Sequence, residues 1–297
     1  MITNNVKNHV LTSEGKYRAF MNLETFPSYE LQAKEVSLLF ADKQGFDSIA
    51  RTLYSPDSDS HTLIVSTNLC VPEYVLFHEF THILDAELYA KKDKTRYASL
   101  SGFTEFHASQ VELMRLLNAD SITSDLPISK NAIIETVSGI KSVSQYINDK
   151  FTHAYDLFSR PDFPASIETL IAALGVLYNY FGLRSIYKMF SSNSIEARDY
   201  SPFLKHIPTI LFDLLNSSMQ GWLTPAQIDV ACNDLSFCLA VKLWRTRWSI
   251  PFLSVQIRLN ILVGQIFVSH VIYCLHTDVC VFCCPFVPHM IRFSCTI

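Results

Sequence analysis

The run His78-Glu79-Phe80-Thr81-His82 constrains this chain more than any other part of its sequence. It lies in a segment that opens after Pro72 and has no further proline or glycine to about Ala90. Val75, Leu76, Phe80, Ile83 and Leu84 supply apolar positions, and the histidines and carboxylates fall between them. A proline suits the first turn of a helix, so the segment is expected to be one. Histidines four residues apart then lie one turn apart on one face. Both imidazoles can reach a single Zn²⁺ at about 2.0–2.1 Å. Glu79 stands at the edge of that face, placed to hold and deprotonate a metal-bound water rather than to ligate.

Two histidines need a third protein ligand and an open position. No histidine occurs between residues 83 and 106. A glutamate from a following helix is therefore expected, and Glu105 is the first candidate, with Glu112 and His107 as alternatives. Glu105 stands 23 positions after His82, enough for a loop and a returning helix, and Ala108 one turn on would allow close approach. Glu112 reads equally as a solvated partner of Arg115. Asp85 reads either as a carboxylate that orients a ligand imidazole or as a plain helix-surface acid. His107 and Tyr89 are the candidates for stabilising a transition state.

Around this segment the pattern alternates between helical and extended. Ser28 to Ala41 is expected to be helical, Pro56 to Ser60 a polar loop, and Thr62 to Thr67 a β-branched strand. Lys91-Lys92-Asp93-Lys94 reads as the charged end of the first metal-bearing helix. Gly102 is expected to punctuate before a second helix over Thr104 to Asn118, whose apolar stripe is Ala108, Val111, Met114 and Leu117. Further helices are expected over Asn131 to Phe158 and Ser166 to Phe190, the latter capped by its serine. The domain expectation is 1–122 as the metal-bearing unit, 123–235 as a helical region, and 236–297 as an apolar, cysteine-rich tail.

Five of the eight cysteines lie in the last two dozen residues of that tail, and beyond Val241 Asp278 is the only acidic residue. Its composition resembles out-of-frame translation, which would leave it without function. The other reading is a membrane anchor from about Ile257, although the run to Leu275 is shorter on apolar residues than a span requires. The net charge of the whole chain, −4, gives no reason to expect nucleic acid. Met1 to Val10 is polar, unlike a secretory leader, and three cysteines in the body suit a reducing compartment. A cytoplasmic location is expected.

The residues resemble the gluzincin-type zinc metallopeptidases, and most of all the ImmA/IrrE metallopeptidase domain. The likeness rests on His78, Glu79 and His82, then on Glu105 and Ala108 with Val111, Leu113 and Met114 behind them. It covers roughly residues 45–120. Phe80 and Thr81 stand where that family often has Leu and Gly. The resemblance implies an α+β, mostly helical chain: a zincin-like core with a small sheet on the metal helix, and a helical C-terminal part. It implies zinc held by His78, His82 and Glu105, and Glu79 as catalytic base. It also implies a strand, Thr62 to Thr67, that offers its edge to an extended peptide. The activity it implies is hydrolysis of a peptide bond in a protein substrate, by analogy a regulatory one. The competing reading is a non-catalytic binding or regulatory module of the same shape.

Overall fold

The computed structural model describes residues 3–35, 49–90, 92–165, 167–192, 198–207 and 209–230. These form an α+β, mostly helical chain. Helix α1 (Asn4–Met21) leads, capped by Thr3, whose hydroxyl accepts from the Val6 N–H. Val10, Ser13, Tyr17 and Phe20 are its buried residues, a helical spacing in an otherwise polar segment. Asn22 closes the helix in the left-handed conformation, with φ of 55°.

Strands β1 (Tyr29–Lys34), β2 (Ala50–Ser55) and β3 (Ser60–Ser66) form one sheet. Its order is β1-β3-β2, with β1 parallel and β2 antiparallel to β3. Pairing sets Ala50 against Val65, Thr52 against Leu63 and Tyr54 against His61, so one face of both strands is buried. Two expectations are corrected here. Residues 29–34 are a strand, not part of a helix: their exposure alternates with period two, and the neighbouring strand supplies the hydrogen bonds. The part of that expected helix at 36–41 lies outside the described residues. The expected strand at 62–67 does form, but in the middle of the sheet, with both edges already paired.

Helix α2 (Glu73–Asp85) carries the His-Glu pair and runs on as a π-helical turn, Ala86–Ala90. Phe77 and Phe80 pack on Tyr17 of α1, with ring centroids 5.3 and 5.5 Å apart. The Thr52 hydroxyl on β2 donates to the Glu79 carbonyl at 3.1 Å, tying the sheet to the middle of α2. Lys92 and Lys94 serve the polar loop rather than the helix end, pairing with Asp59 at 2.8 Å and Asp57 at 2.6 Å. Lys94 opens α3 (Lys94–Leu116), and Lys91 is outside the described residues.

Gly102 therefore sits inside α3 and does not precede it. Its role is contact: a Cβ there would lie 2.5 Å from the Tyr178 ring on α5 (Ile167–Phe190). At Gly182 on α5 a Cβ would lie 2.2 Å from the Phe106 carbonyl oxygen. These two glycines let α3 and α5 approach closely. The expected helix from Asn131 is also corrected. Its first part is a hairpin, β4 (Ile133–Thr136) and β5 (Gly139–Ser142), turned by Gly139 at φ of 101°. Helix α4 (Val143–Ser159) then starts with a capping box between Ser142 and Gln145.

Helices α6 (Ser201–Leu204), α7 (Thr209–Ser218) and α8 (Pro225–Val230) complete the described chain. One hydrophobic core runs from Val10 to Ile228, so helices of the 123–235 region share it with the first 122 residues. The tail 236–297 and the Ser166 cap lie outside the described residues. Among the described residues no helix is long and apolar enough to cross a membrane.

Candidate metal centre

The α2 and α3 helices bring three side chains to one place. His78 Nε2 lies 3.7 Å and His82 Nε2 3.9 Å from opposite oxygens of the Glu105 carboxylate. One ligand atom from each of the three residues lies within 4.8 Å of the others. The two imidazoles stand edge to face, 4.8 Å apart, as histidines one turn apart must. About a third of the Glu105 side chain is exposed, so solvent reaches the cluster.

The far nitrogens are committed. His78 Nδ1 donates to Glu112 Oε2 at 2.8 Å. His82 Nδ1 is hydrogen-bonded to the Thr104 hydroxyl at 2.8 Å. With both Nδ1 atoms committed, both Nε2 atoms face Glu105. Glu112 is buried and also accepts from the Tyr146 hydroxyl on α4. On α5, Asn179 hydrogen-bonds Glu105 and is itself held by the Ser109 hydroxyl at 2.6 Å. At Gly175, one turn earlier on α5, an added Cβ would meet the Glu105 carboxylate carbon at 3.8 Å.

Burial alone would discourage charge on His78, but the carboxylates of Glu105 and Glu112 outweigh it and raise the pKa to about 10. Burial likewise opposes charge on Glu105; His82, His78 and Asn179 outweigh it, and the pKa falls to about 2. For Glu112 the same contest is won by Lys150, His78 and Tyr146, again giving a pKa of about 2. Without a metal the centre is thus an imidazolium held between two carboxylates. Its donors, two imidazole nitrogens and one carboxylate, suit a borderline dication such as zinc.

Each expected site residue has a definite position. His78, His82 and Glu105 come together. The Glu79 side chain is buried, 8% exposed, on the same helix as the two histidines. Glu112 is outside the three-residue cluster and is not paired with Arg115. It sits behind His78, while Arg115 pairs with Glu73 at 2.5 Å. Asp85 orients neither ligand imidazole and is no surface acid. It is fully buried and accepts from His107 Nδ1 at 2.9 Å. His107 and Tyr89 face a separate cavity rather than the cluster, because two residues along a helix turn a side chain by about 200°.

Comparison with protein-family models, curated proteins and solved structures finds no match. The geometry therefore stands by itself. Sequence reasoning missed Thr104, Tyr146 and Asn179, which hold His82, Glu112 and Glu105. Thr104 adjoins the candidate ligand and was within reach of the helical pattern. Tyr146 and Asn179 lie on helices whose placement nothing in the local sequence announces.

Proposed function

We propose that this chain is a zinc-dependent endopeptidase with a zincin-like core of the ImmA/IrrE kind, acting on a protein substrate. The observation that carries the reading is the convergence of two Nε2 atoms and one carboxylate, with both Nδ1 atoms already committed. When bound, zinc supplies a Lewis acid and brings the pKa of a coordinated water toward about 7.

The chain's own residues do the rest. His78, His82 and Glu105 hold the ion, while Glu112 and Thr104 fix the tautomers of the two rings. Asn179 keeps the Glu105 carboxylate turned toward them. Glu79, next to His78 in the chain, takes a proton from the attacking water and delivers it to the departing amine. A carboxylate in a structural site has no such use, which favours turnover over the binding-module reading.

Strand β2, not β3, is the place for an extended substrate. Among the described residues its outer edge is unpaired, and Thr52 fastens it to α2 at Glu79. A peptide added there by main-chain hydrogen bonds would pass the metal helix. By resemblance the substrate is a regulatory protein and the setting cytoplasmic.

The test is cleavage of a fluorogenic peptide library by the zinc-loaded full chain. Glu79→Gln should retain zinc and lose about 10²–10⁴-fold in rate. Retention of the wild-type rate by that variant would remove Glu79 from the reaction.

A further inference from the structure

Among the described residues β2 stands at one edge of its sheet, and the phase of its ladder decides which of its main-chain groups are free. The Ser66 N–H donates to the Ile49 carbonyl at 2.8 Å, so those two residues form a hydrogen-bonded pair. Along an antiparallel ladder such pairs alternate with non-hydrogen-bonded ones. The register from Ala50 opposite Val65 to Ser55 opposite Ser60 is unbroken, so Arg51, Leu53 and Ser55 bond inward to β3. Ala50, Thr52 and Tyr54 therefore turn N–H and C=O outward. In keeping with this phase, the Tyr97 hydroxyl on α3 hydrogen-bonds the Tyr54 main chain. The stretch left open is Ala50 to Leu53.

Side chains alternate along the same stretch. Ala50 is buried, and Thr52 reaches the Glu79 carbonyl of α2. Arg51 and Leu53 point to the opposite face and are exposed, Leu53 by 43%. On that face the row through Arg51 continues to Ile64 and Gln32, so its charge meets no carboxylate along the row. A segment added by antiparallel pairing, the stronger mode per residue, would exchange both bonds of Thr52 with one of its own residues. The residues before and after that one would stand opposite Leu53 and Arg51. These would be non-hydrogen-bonded pairs, in which side chains lie closest. Apolar contact and opposite charge are what such cross-strand pairs reward.

We infer that the β2 edge selects an extended segment of the pattern apolar, any residue, acidic, read from its N- to its C-terminus. The apolar side chain packs on Leu53, the acidic one pairs with Arg51, and the middle one faces α2. This names the substrate class of the proposed peptidase and rests on that reading.

Fluorescence polarisation of labelled decapeptides on the full-length Glu79→Gln chain tests it, since docking is reported whether or not a bond is cut. A threonine-rich host carrying Val-Thr-Glu should bind about two- to fivefold more tightly than hosts carrying Val-Thr-Lys, Ser-Thr-Glu or the reversed Glu-Thr-Val. Arg51→Glu should invert the preference for Glu over Lys. Leu53→Ser should abolish the preference for Val over Ser. Both positions are exposed, so neither change disturbs the core. The proposal is overturned if no host binds, if the Glu host binds no better than the Lys host or the reversed one, or if Arg51→Glu leaves the order unchanged. Cleavage by the wild-type chain without this preference would keep the peptidase and remove the β2 register. The preference without cleavage would do the reverse.

Discussion

His78 stands between two carboxylates, Glu105 on the side of Nε2 and Glu112 on the side of Nδ1, and the two do different work. Glu105 belongs to the three-residue cluster that could hold a metal ion. Glu112 sets which nitrogen is free, and removing such a carboxylate typically weakens a metal site about 10–100-fold. Glu112→Ala should therefore lower zinc affinity by that factor while leaving one ion per chain, measured by competition with a chromophoric chelator. The same charges make the metal-free protein sensitive to pH. The His78 pKa is raised from 6.5 to about 10, so its stabilisation is complete below 6.5 and lost as pH rises toward 10. Those of Glu105 and Glu112 are lowered from 4.5 to about 2, so theirs is complete above 4.5 and lost as pH falls toward 2. The metal-free Tm should peak between pH 4.5 and 6.5. Zinc must displace the proton on His78, so its apparent affinity should rise about tenfold per pH unit up to that pKa. Thermal melts across pH, with and without zinc, check both slopes.

At the scale of elements, the site depends on α5 holding α3 against α2. Gly182 admits the Phe106 carbonyl where any side chain would collide with backbone. Gly182→Ala should cost about 1–3 kcal/mol of stability, read from denaturant unfolding, and should loosen Glu105 through Asn179. The α2 and α3 helices were legible in the sequence because each carries a long apolar stripe free of proline. Helix α1 was not, since it buries only a narrow line of residues between polar ones. Strand β1 was not either, since Tyr29 to Lys34 is polar and takes its conformation from pairing with β3. The hairpin before α4 hid inside a run whose apolar residues fit either period, and only Gly139 at positive φ marks the turn. For the same reason the clustered side chains were readable at i, i+4 and on the next helix, whereas their supports were not. Contacts such as Tyr146 with Glu112 and Asn179 with Glu105 join residues 34 and 74 positions apart, across elements whose packing no local pattern encodes.

Across the described residues a single core couples α2 and α3 to the helices beyond residue 122, so the first 122 residues are not expected to fold alone. The α2 helix is enclosed by α1, β2 and α3, while Glu105 remains open to solvent. A rigid support under a partly open centre is the arrangement that metal-assisted hydrolysis needs. The most direct test is zinc stoichiometry and affinity of the full chain, by calorimetry and elemental analysis, beside Glu105→Ala. One tightly held zinc ion per wild-type chain, with affinity collapsing in Glu105→Ala, is the expected result. A wild-type chain that takes up no zinc, or a Glu105→Ala variant that holds it equally well, would contradict the account.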